Sequence, residues 1–592
     1  MISLGRWDVQ TRFNLLDNTN RARAEGHRPE TRSLPITSVA EVAHQSGSVV
    51  GHLRLIAIEP ESRPCAQAGR VEVPVATIQG VPTGVDVRSD SHAEDTGLGP
   101  QSDRQAQRSL YGGVWWVAGA LVALELGVSA RYGFHRDELY FITSGQHPAF
   151  GYVDQPPLAP LVTRLGTSLF GTNPTAVRIV PSLMGGAVVV GTGLTAGALG
   201  GRRFAQLLAA IAMACAPIVL GSAHLAGTTI YDLAAWTFTI LFVLRAVVLG
   251  RPRSWLAAGA VAGLGLENKD LILLLGVALA VGLLTTSSRS EHATRWPWFG
   301  GLVALALWTP NLVWQLTNSI PALAMARSLR IEHSGSGDYV SFIFAQVLLV
   351  GILAFPIVVV GIRHLMYRRE LHFAMVAVVG VVVYVFAVIP GRQYYTAGML
   401  PLLFAAGGCR IEQRQSNRTR RRLWLAAPVV GALLAVTFVL PVLPLSAFAR
   451  MTFLHKTSYD LGETVGWPTL TSQVADVYDE IPVHERQETA IFTSNYGEAG
   501  ALAVYGRSHG LPEPLSGHNT YWLWGPGGAP DQVVVAVGSV GQLRPHFAAC
   551  RYRATIHSLD HVDNDENGTD IWTCNGPRGK WSSFWTGLRN YG

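Results

Sequence analysis

The sequence predicts an all-α polytopic membrane domain followed by a small α/β domain. Only 15% of the 592 residues are charged and 49% are hydrophobic, whereas about 25% charged is usual in soluble proteins. Apolar runs of membrane-spanning length recur between residues 111 and 446. Beyond residue 447 the hydropathy falls, and short β-rich runs such as "TAIFTS" and "QVVVAVG" alternate with helix-like ones.

Residues 1–110 are predicted to form a poorly ordered cytosolic extension. They contain no apolar h-region of the kind that opens a signal peptide, and they are rich in Arg, Ser, Gly, Asp and Glu. The alternative is that this segment reflects an upstream start codon and is not part of the mature protein.

Eleven apolar runs within residues 111–446 are predicted to span the membrane, because a spanning helix needs roughly 20 mostly apolar residues. The fifth and tenth are short, so a count that differs by one or two stays open. The runs lie near 111–129, 177–199, 204–222, 229–249, 254–267, 271–286, 297–316, 339–362, 371–390, 395–409 and 423–446.

Arginine-rich loops predict the orientation. "GGRRF", "GRPRSW", "SSRSEHATRW", "RHLMYRRE" and "RIEQRQSNRTRRR" occur at alternate loops, and short positively charged loops stay in the cytoplasm. The N-terminus is therefore predicted to be cytosolic, and the α/β domain of residues 447–592 to be extracytoplasmic. In that compartment Cys550 and Cys574 can form a disulfide. The charge balance gives no indication of nucleic-acid binding.

The first outer loop contains "FHRDELYF", with two consecutive carboxylates. On a helix, Asp137 and Glu138 would diverge by about 100°, so one is expected to act on a substrate and the other to orient it. The alternative is that both are solvated loop charges paired with Arg136.

The next motif, "GYVDQPPLAPLVTRLGTSLFG", places Asp154 and Gln155 before a pair of prolines. Proline suits the first turn of a helix, and the apolar spacing from Leu158 to Phe170 suits a helix lying in the membrane interface. The alternative is a plain connecting loop.

Further ionisable residues lie near the same predicted outer face. Such residues at or in membrane spans are costly and often functional, although snorkelling or an ordinary salt bridge is the alternative for each one. Together they predict a site for an anionic headgroup. They are Arg178, Asp232, Lys269 and Arg392.

"FHRDELYF" combined with "GYVDQPPL", many spans and a C-terminal outer domain resembles the C-type (GT-C) glycosyltransferases of the protein O-mannosyltransferase and aminoarabinose transferase group. The resemblance covers about residues 111–446. The outer segments "YDLGETVGWP", "TSNYGEAGALAVYG" and "GHNTYWLWGPG" resemble the tail of actinobacterial members.

The resemblance implies transfer of a sugar, mannose or another hexose or pentose, from a polyprenyl phosphate to a cell-envelope glycan, lipid or protein, with inversion, at the outer face of the plasma membrane. Asp137 would be the general base, and Glu138 would assist or orient it. Lys269, Arg392 and Tyr395, with Arg178, would bind the donor phosphate.

The sequence departs from the family pattern at one position and leaves one cofactor open. Gln155 stands where some relatives have Lys or His before the proline pair, which removes a cation. Some relatives bind a divalent metal ion near the loop carboxylates, and Asp137, Asp154 and Asp232 could supply ligands here, but no His/Cys cluster supports this independently.

Two other functions fit charges near a membrane. One is a transporter or flippase for a lipid-linked anion, although the inverted repeats typical of transporters are not detectable. The other is a membrane-anchored glycan-binding protein, in which the aromatic residues of "GHNTYWLWGPG" would contact sugars.

Overall fold

The computed structural model describes residues 109–332, 338–388, 392–538, 540–559, 562 and 564–591. The extension predicted over residues 1–110 lies almost wholly outside the described residues. All of the described residues belong to one compact unit.

The membrane part is helical throughout, as predicted. Its α-helices are α1 Gly112–Val128, α2 Arg136–Gln146, α3 Leu158–Phe170, α4 Pro174–Ala198, α5 Arg203–Ala214, α6 Pro217–His224, α7 Thr228–Val247, α8 Ser254–Leu266, α9 Ile272–Thr285, α10 Trp296–Thr317, α11 Pro321–Glu332, α12 Asp338–Val350, α13 Phe355–Tyr367, α14 His372–Val388, α15 Leu400–Arg414 and α16 Arg418–Val439. Short 3₁₀ helices cover Ser287–Ala293, Arg369–Leu371 and Gln393–Met399.

Each of the eleven predicted runs coincides with an apolar helix or with two consecutive helices. In the described part of the chain, five helices are long and apolar enough to cross a membrane by themselves, or up to eight if each bent pair is one span. The chain is therefore a multi-pass membrane protein, and the count of eleven spans stays a prediction.

Two runs that were predicted as single spans are broken. Helices α5 and α6 meet at 59°, and α12 and α13 meet at 101°. The first break lies at Ala216, whose backbone is extended because the following Pro217 disfavours the helical conformation before it. Helices α4 and α7 are mostly buried, whereas α10 and α16 expose most of their apolar surface, as expected of helices that face lipid.

The C-terminal part is an α/β domain, as predicted. Its strands are β1 Thr489–Thr493, β2 Leu515–Ser516, β3 Val533–Val537, β4 Phe547–Thr555 and β5 Asp570–Pro577. Its α-helices are α17 Leu445–Arg450, α18 Thr452–Thr457, α19 Tyr459–Gly462, α20 Trp467–Asp479, α21 Val483–Arg486, α22 Tyr496–Tyr505, α23 Thr520–Trp524 and α24 Trp581–Phe584.

The five strands form one sheet in the order β2-β1-β3-β5-β4. Strands β1, β2 and β3 are parallel, and β5 pairs antiparallel with β3 and β4. Strands β1 and β3 are fully buried, which explains their continuous apolar runs. The predicted disulfide is confirmed, because Cys550 on β4 is bonded to Cys574 on β5.

The C-terminal domain packs directly on α2, the helix that begins with the two consecutive carboxylates. One hydrophobic core contains Phe134, Leu139 and Ile142 from the membrane part together with Trp467 and Val474 from the C-terminal domain. This shared core places residues of both parts around the start of α2.

Candidate active site

Helix α2 starts with a capping box at "HRDE". His135 is the N-cap, and its Nδ1 accepts a hydrogen bond from the backbone N–H of Asp137 at 3.2 Å. Glu138 Oε2 accepts a hydrogen bond from the backbone N–H of His135 at 2.8 Å. This reciprocal pair satisfies two N–H groups at the helix start and fixes both carboxylates in the first turn, where the helix dipole favours negative charge.

Glu138 points into the protein and is completely buried. Arg178 donates to it through two nitrogens, from Nε to Oε1 at 2.9 Å and from Nη2 to Oε2 at 2.7 Å. The backbone N–H of Ala226 also donates to Oε1 at 2.9 Å. Glu138 is therefore fully engaged by protein groups, as expected of the carboxylate that orients rather than reacts.

Arg178 is equally buried, and its remaining hydrogen-bond donors also have protein partners. Nη1 lies 2.6 Å from Ser129 O and 3.4 Å from His224 Nε2, and Nη2 donates to Gly133 O at 2.7 Å. Because a guanidinium has five N–H donors, these contacts and the two to Glu138 leave none for a ligand. This placement argues against the phosphate-binding role predicted for Arg178.

The buried polar chain continues into the first apolar helix. His224 Nδ1 lies 3.3 Å from Glu125 Oε2, and both side chains are buried. Glu125 was missed at the sequence level, although a carboxylate inside an apolar run is itself a signal of a buried polar network.

Asp137 faces the other way. Its side chain is 42% exposed, and its Oδ1 accepts a hydrogen bond from the hydroxyl of Tyr496 at 2.8 Å. Tyr496 is the first residue of α22 in the C-terminal domain. Its Oδ2 lies 3.9 Å from His135 Nδ1, beyond hydrogen-bond distance, and no hydrogen bond to this oxygen is found among the described residues, so it is accessible to a ligand.

Asp154 is a second carboxylate that is held by a phenol. The hydroxyl of Tyr140 lies 2.8 Å from Asp154 Oδ1 and 2.6 Å from Thr520 Oγ1 of the C-terminal domain. Thr520 Oγ1 also accepts a hydrogen bond from the backbone N–H of Val153 at 3.0 Å. Burial, reinforced by the nearby carboxylate of Asp137, raises the pKa of Asp154 to about 7, against the lowering effect of the Tyr140 hydrogen bond.

Gln155 adjoins this pair and is buried. Its backbone carbonyl accepts a hydrogen bond from Tyr152 N at 2.9 Å, which closes the turn before the prolines. Among the described residues, its side-chain Nε2 is buried without a hydrogen-bond partner. A buried amide of this kind is suited to a ligand oxygen.

Lys269 lies with the tyrosines of "GRQYY". Its Nζ is 4.5 Å from the ring centroid of Tyr395 and 5.0 Å from that of Tyr394, within the range of cation–π attraction. Asp232 and Arg392 both interact electrostatically with Lys269. The structure therefore brings together four predicted site residues, Lys269, Asp232, Arg392 and Tyr395.

A backbone contact joins the two loops that carry Asp154 and Lys269. The N–H of Leu158, at the start of α3, donates to the carbonyl of Glu267 at 2.8 Å. The "GYVDQPP" loop and the "ENKD" loop therefore adjoin each other, as the prediction of one outer site requires.

The comparisons with known proteins agree with this architecture. The family model of the dolichyl-phosphate-mannose-protein mannosyltransferases matches residues 154–314. The crystal structure of ArnT from Cupriavidus metallidurans in the apo state superposes with a TM-score of 0.52 at 18% identity, over 78% of this chain and 97% of that chain. The chain has the GT-C fold.

A second crystal structure of ArnT from the same organism, bound to undecaprenyl phosphate, superposes on this GT-C chain with a TM-score of 0.53 over the same shares of both chains. Archaeal oligosaccharyltransferase AglB from Archaeoglobus fulgidus, in complex with an inhibitory peptide and a dolichol-phosphate, matches with a TM-score of 0.40 at 14% identity, over 72% of this chain and 69% of that chain. No curated protein matches the sequence.

Within this GT-C fold, the predicted metal ligands do not form one cluster. In the part of the chain that the structure describes, no three His, Cys, Asp or Glu side chains form a group that could hold a metal ion. Asp137 and Asp154 each accept a hydrogen bond from a phenol. Asp232 accepts one from Trp236 Nε1 of its own helix at 3.1 Å. A metal site made from these three carboxylates is therefore not formed.

Sequence analysis of this GT-C chain missed three residues that contact the site carboxylates. They are Tyr140, Tyr496 and Thr520. Tyr496 and Thr520 belong to "TSNYGEAGALAVYG" and "GHNTYWLWGPG", segments that resemble the tail of actinobacterial members, and neither segment was predicted to contact the site carboxylates. The asparagine and glutamate of "NYGE" have capping-box spacing, so the start of a helix at Tyr496 was readable, but its partner in the membrane part was not.

Proposed function

We propose that this protein is a membrane glycosyltransferase that moves a sugar from a polyprenyl phosphate to a hydroxyl group of a cell-envelope acceptor. The transfer takes place at the extracytoplasmic face with inversion, and mannose is the proposed sugar. The observation that carries the proposal is the difference in exposure between the two carboxylates at the start of α2. One carboxylate, Glu138, is fully buried, whereas its neighbour Asp137 is 42% exposed with one oxygen accessible.

Asp137 would act as the general base. Its Oδ1 is occupied by the Tyr496 hydroxyl, so Oδ2 would take the proton from the acceptor hydroxyl as that oxygen attacks the anomeric carbon of the donor. The new bond forms from acceptor oxygen to carbon, and the bond from carbon to the phosphate oxygen breaks. Glu138 would hold the helix start in position through its bonds to Arg178 and to the backbone N–H groups.

Lys269, with Arg392 and Tyr395, would bind the lipid phosphate. Negative charge grows on this group as it leaves, and preorganised cations and hydroxyl donors stabilise such charge. The clustering of these residues supports this assignment, and so does the fold shared with ArnT, which has been crystallised with undecaprenyl phosphate. Without Arg178, whose donors are used by the protein, phosphate binding depends on fewer cations.

Asp154 and Gln155 would contact hydroxyl groups of the sugar or acceptor. Because the pKa of Asp154 is raised to about 7, this residue can either donate or accept a hydrogen bond near neutral pH. The arginine-rich loops support an orientation with the N-terminus in the cytosol and the C-terminal domain outside. In that orientation all of these groups would lie at the outer face of the plasma membrane.

The test is a transfer assay on the purified full-length protein in nanodiscs. Polyprenyl-phosphate mannose and a polyprenyl-phosphate pentose are supplied separately with a cell-envelope fraction, and released polyprenyl phosphate is quantified by mass spectrometry. Asp137→Asn is expected to lower turnover by about 10²–10⁴-fold while the melting temperature and donor binding stay unchanged. The matched control is Asp476→Asn, which alters an exposed carboxylate on α20.

Full activity of Asp137→Asn would remove this residue as the base. In sealed proteoliposomes, movement of the lipid across the bilayer without any sugar transfer, by wild type and variant alike, would replace the transferase with a flippase. Release of polyprenyl phosphate from one donor alone would identify the sugar class.

A further inference from the structure

Arg136, directly before the proposed base, joins α2 to several segments of the C-terminal domain. Its Nε donates to the hydroxyl of Tyr496 at 3.1 Å, and its Nη1 donates to the hydroxyl of Tyr459 at 2.9 Å and to Asp565 Oδ2 at 3.1 Å. Glu463 Oε2 lies 3.7 Å from the same Nη1. The guanidinium also lies over the ring of Tyr496, 5.1 Å from its centroid.

These contacts determine the direction of the Tyr496 proton. A guanidinium can only donate hydrogen bonds, so the Tyr496 oxygen must accept the one from Arg136. A phenol carries a single proton, and the other partner of this hydroxyl is Asp137 Oδ1 at 2.8 Å. Tyr496 therefore donates to the Asp137 carboxylate and fixes the position of its Oδ1. Burial, with the nearby charge of Asp137, raises the pKa of Tyr496 above its ordinary value, which keeps the phenol protonated.

The motif "NYGEAG" holds Tyr496 in place. Asn495 Oδ1 caps α22 by accepting from the backbone N–H of Glu498 at 2.9 Å, and Glu498 Oε2 accepts in return from Asn495 N at 3.1 Å. Asn495 Nδ2 also donates to Glu566 Oε1 at 3.1 Å. The first residue of α22 is therefore fixed by a closed capping box that is tied to a neighbouring loop.

The two glycines of the same motif let α22 approach α2. A Cβ at Gly497 would lie 3.2 Å from Arg136 Cβ, and one at Gly500 would lie 2.9 Å from Leu139 Cβ. Both distances are too short for comfortable packing. Five of the six residues of the motif thus have a reason in the geometry: Asn495 is the cap, Tyr496 binds the base, the two glycines allow the close approach, and Glu498 completes the capping box.

We propose that Tyr496 is a positioning residue for Asp137, so that the C-terminal domain completes the active site of the membrane part. This inference rests on the proposed function, in which Asp137 is the general base. The phenol from the C-terminal domain orients one carboxylate oxygen and leaves the other directed at the acceptor hydroxyl.

The test uses Tyr496→Phe in the full-length protein, because phenylalanine retains the ring that packs 4.9 Å from Tyr140 and 5.1 Å from His518. We expect kcat to fall about tenfold, as the loss of one hydrogen bond to a charged group implies, with KM for polyprenyl-phosphate sugar unchanged. The acidic limb of the pH–kcat profile should move to higher pH, because a carboxylate that loses a donor holds its proton more tightly. A residue with only a structural role would not shift this limb.

A second replacement keeps the test decisive if Tyr496→Phe does not fold. Incorporation of 3-fluorotyrosine at position 496 retains the hydroxyl and makes it a stronger donor, so the acidic limb should move to lower pH. Tyr552→Phe, which removes an exposed phenol on β4, is the matched control and should leave kcat and the profile unchanged.

Asp137→Asn is measured in parallel to separate the two proposals. If that variant is inactive while both Tyr496 replacements retain the wild-type kcat and pH profile, the positioning role is overturned and the proposed base stands. If Asp137→Asn is fully active, the proposed base itself is wrong, and the positioning role falls with it.

Discussion

The two sides of the α2 N-terminus differ sharply although they begin at adjacent residues. On one side, Glu138 is completely buried in a bidentate pair with Arg178. On the other, Asp137 is 42% exposed and is held by a single phenol. Within one helical turn, therefore, one carboxylate anchors the helix and the other is accessible as a base. The motif needs both, because the anchor fixes the helix that aims the base.

The buried side continues as a chain of ionisable groups. It runs from Glu138 through Arg178 and His224 to Glu125 inside the first apolar helix. Desolvating such groups is costly, and the cost is offset only when each has good partners. The open side has fewer contacts, and the phenol that holds Asp137 comes from the C-terminal domain. The buried side therefore has the denser set of hydrogen bonds, around Glu138 and Arg178, and the open side has the accessible carboxylate.

The largest difference between the two sides should appear when a charge is removed on the buried side. Glu138→Gln should destabilise the protein by about 3–5 kcal/mol, because Arg178 would keep a buried charge without its counter-ion. The melting temperature in detergent and the yield of folded protein should both fall. Glu488→Gln, at an exposed position of the C-terminal domain, is the control.

The double variant Glu138→Met with Arg178→Met should recover part of the lost stability, because no unpaired charge remains. A wild-type melting temperature for Glu138→Gln would mean that this side of the helix does not anchor the fold.

A smaller effect is expected at Lys269, which lies against Tyr394 and Tyr395. Lys269→Gln should weaken binding of polyprenyl phosphate by about tenfold to a hundredfold, the loss that a charged hydrogen bond implies, with little change in melting temperature. Binding can be measured by competition with labelled lipid in nanodiscs. Lys580→Gln, at an exposed position of the C-terminal domain, should bind as the wild type does, and equal binding by both variants would exclude Lys269 from the phosphate site.

The sequence located the helices of the membrane part because apolar composition is a local property. The break before Pro217 was not predicted. Proline disfavours the helical conformation at the residue before it, and this interrupts an apolar run that is continuous in the sequence. In the site, the 100° divergence of adjacent helical residues correctly separated the environments of Asp137 and Glu138. That argument needed only the geometry of one helical turn.

The partners of these carboxylates were not readable, because they depend on long-range packing. Arg178 is 40 residues from Glu138, and Tyr496 is 359 residues from Asp137. From its charge alone, Arg178 could have bound either a lipid phosphate or a buried carboxylate. Only the three-dimensional structure, in which α4 brings Arg178 to Glu138 of α2, identifies the carboxylate as its partner.

The last predicted effect concerns the pH dependence of stability at Asp154, which is partly buried and bonded to Tyr140. Its pKa is about 7 in the folded protein and 3.8 ordinarily, so between these values the folded state retains a proton that the unfolded state has released. Stability should therefore fall as pH rises from about 4 to 7 and then level off. Asp154→Asn removes this dependence, so its melting temperature should drop less than that of the wild type between pH 5 and pH 8. If the melting temperatures of the two proteins changed equally between pH 5 and pH 8, Asp154 would not retain a proton in the folded state, and its carboxylate would be as accessible as that of Asp137.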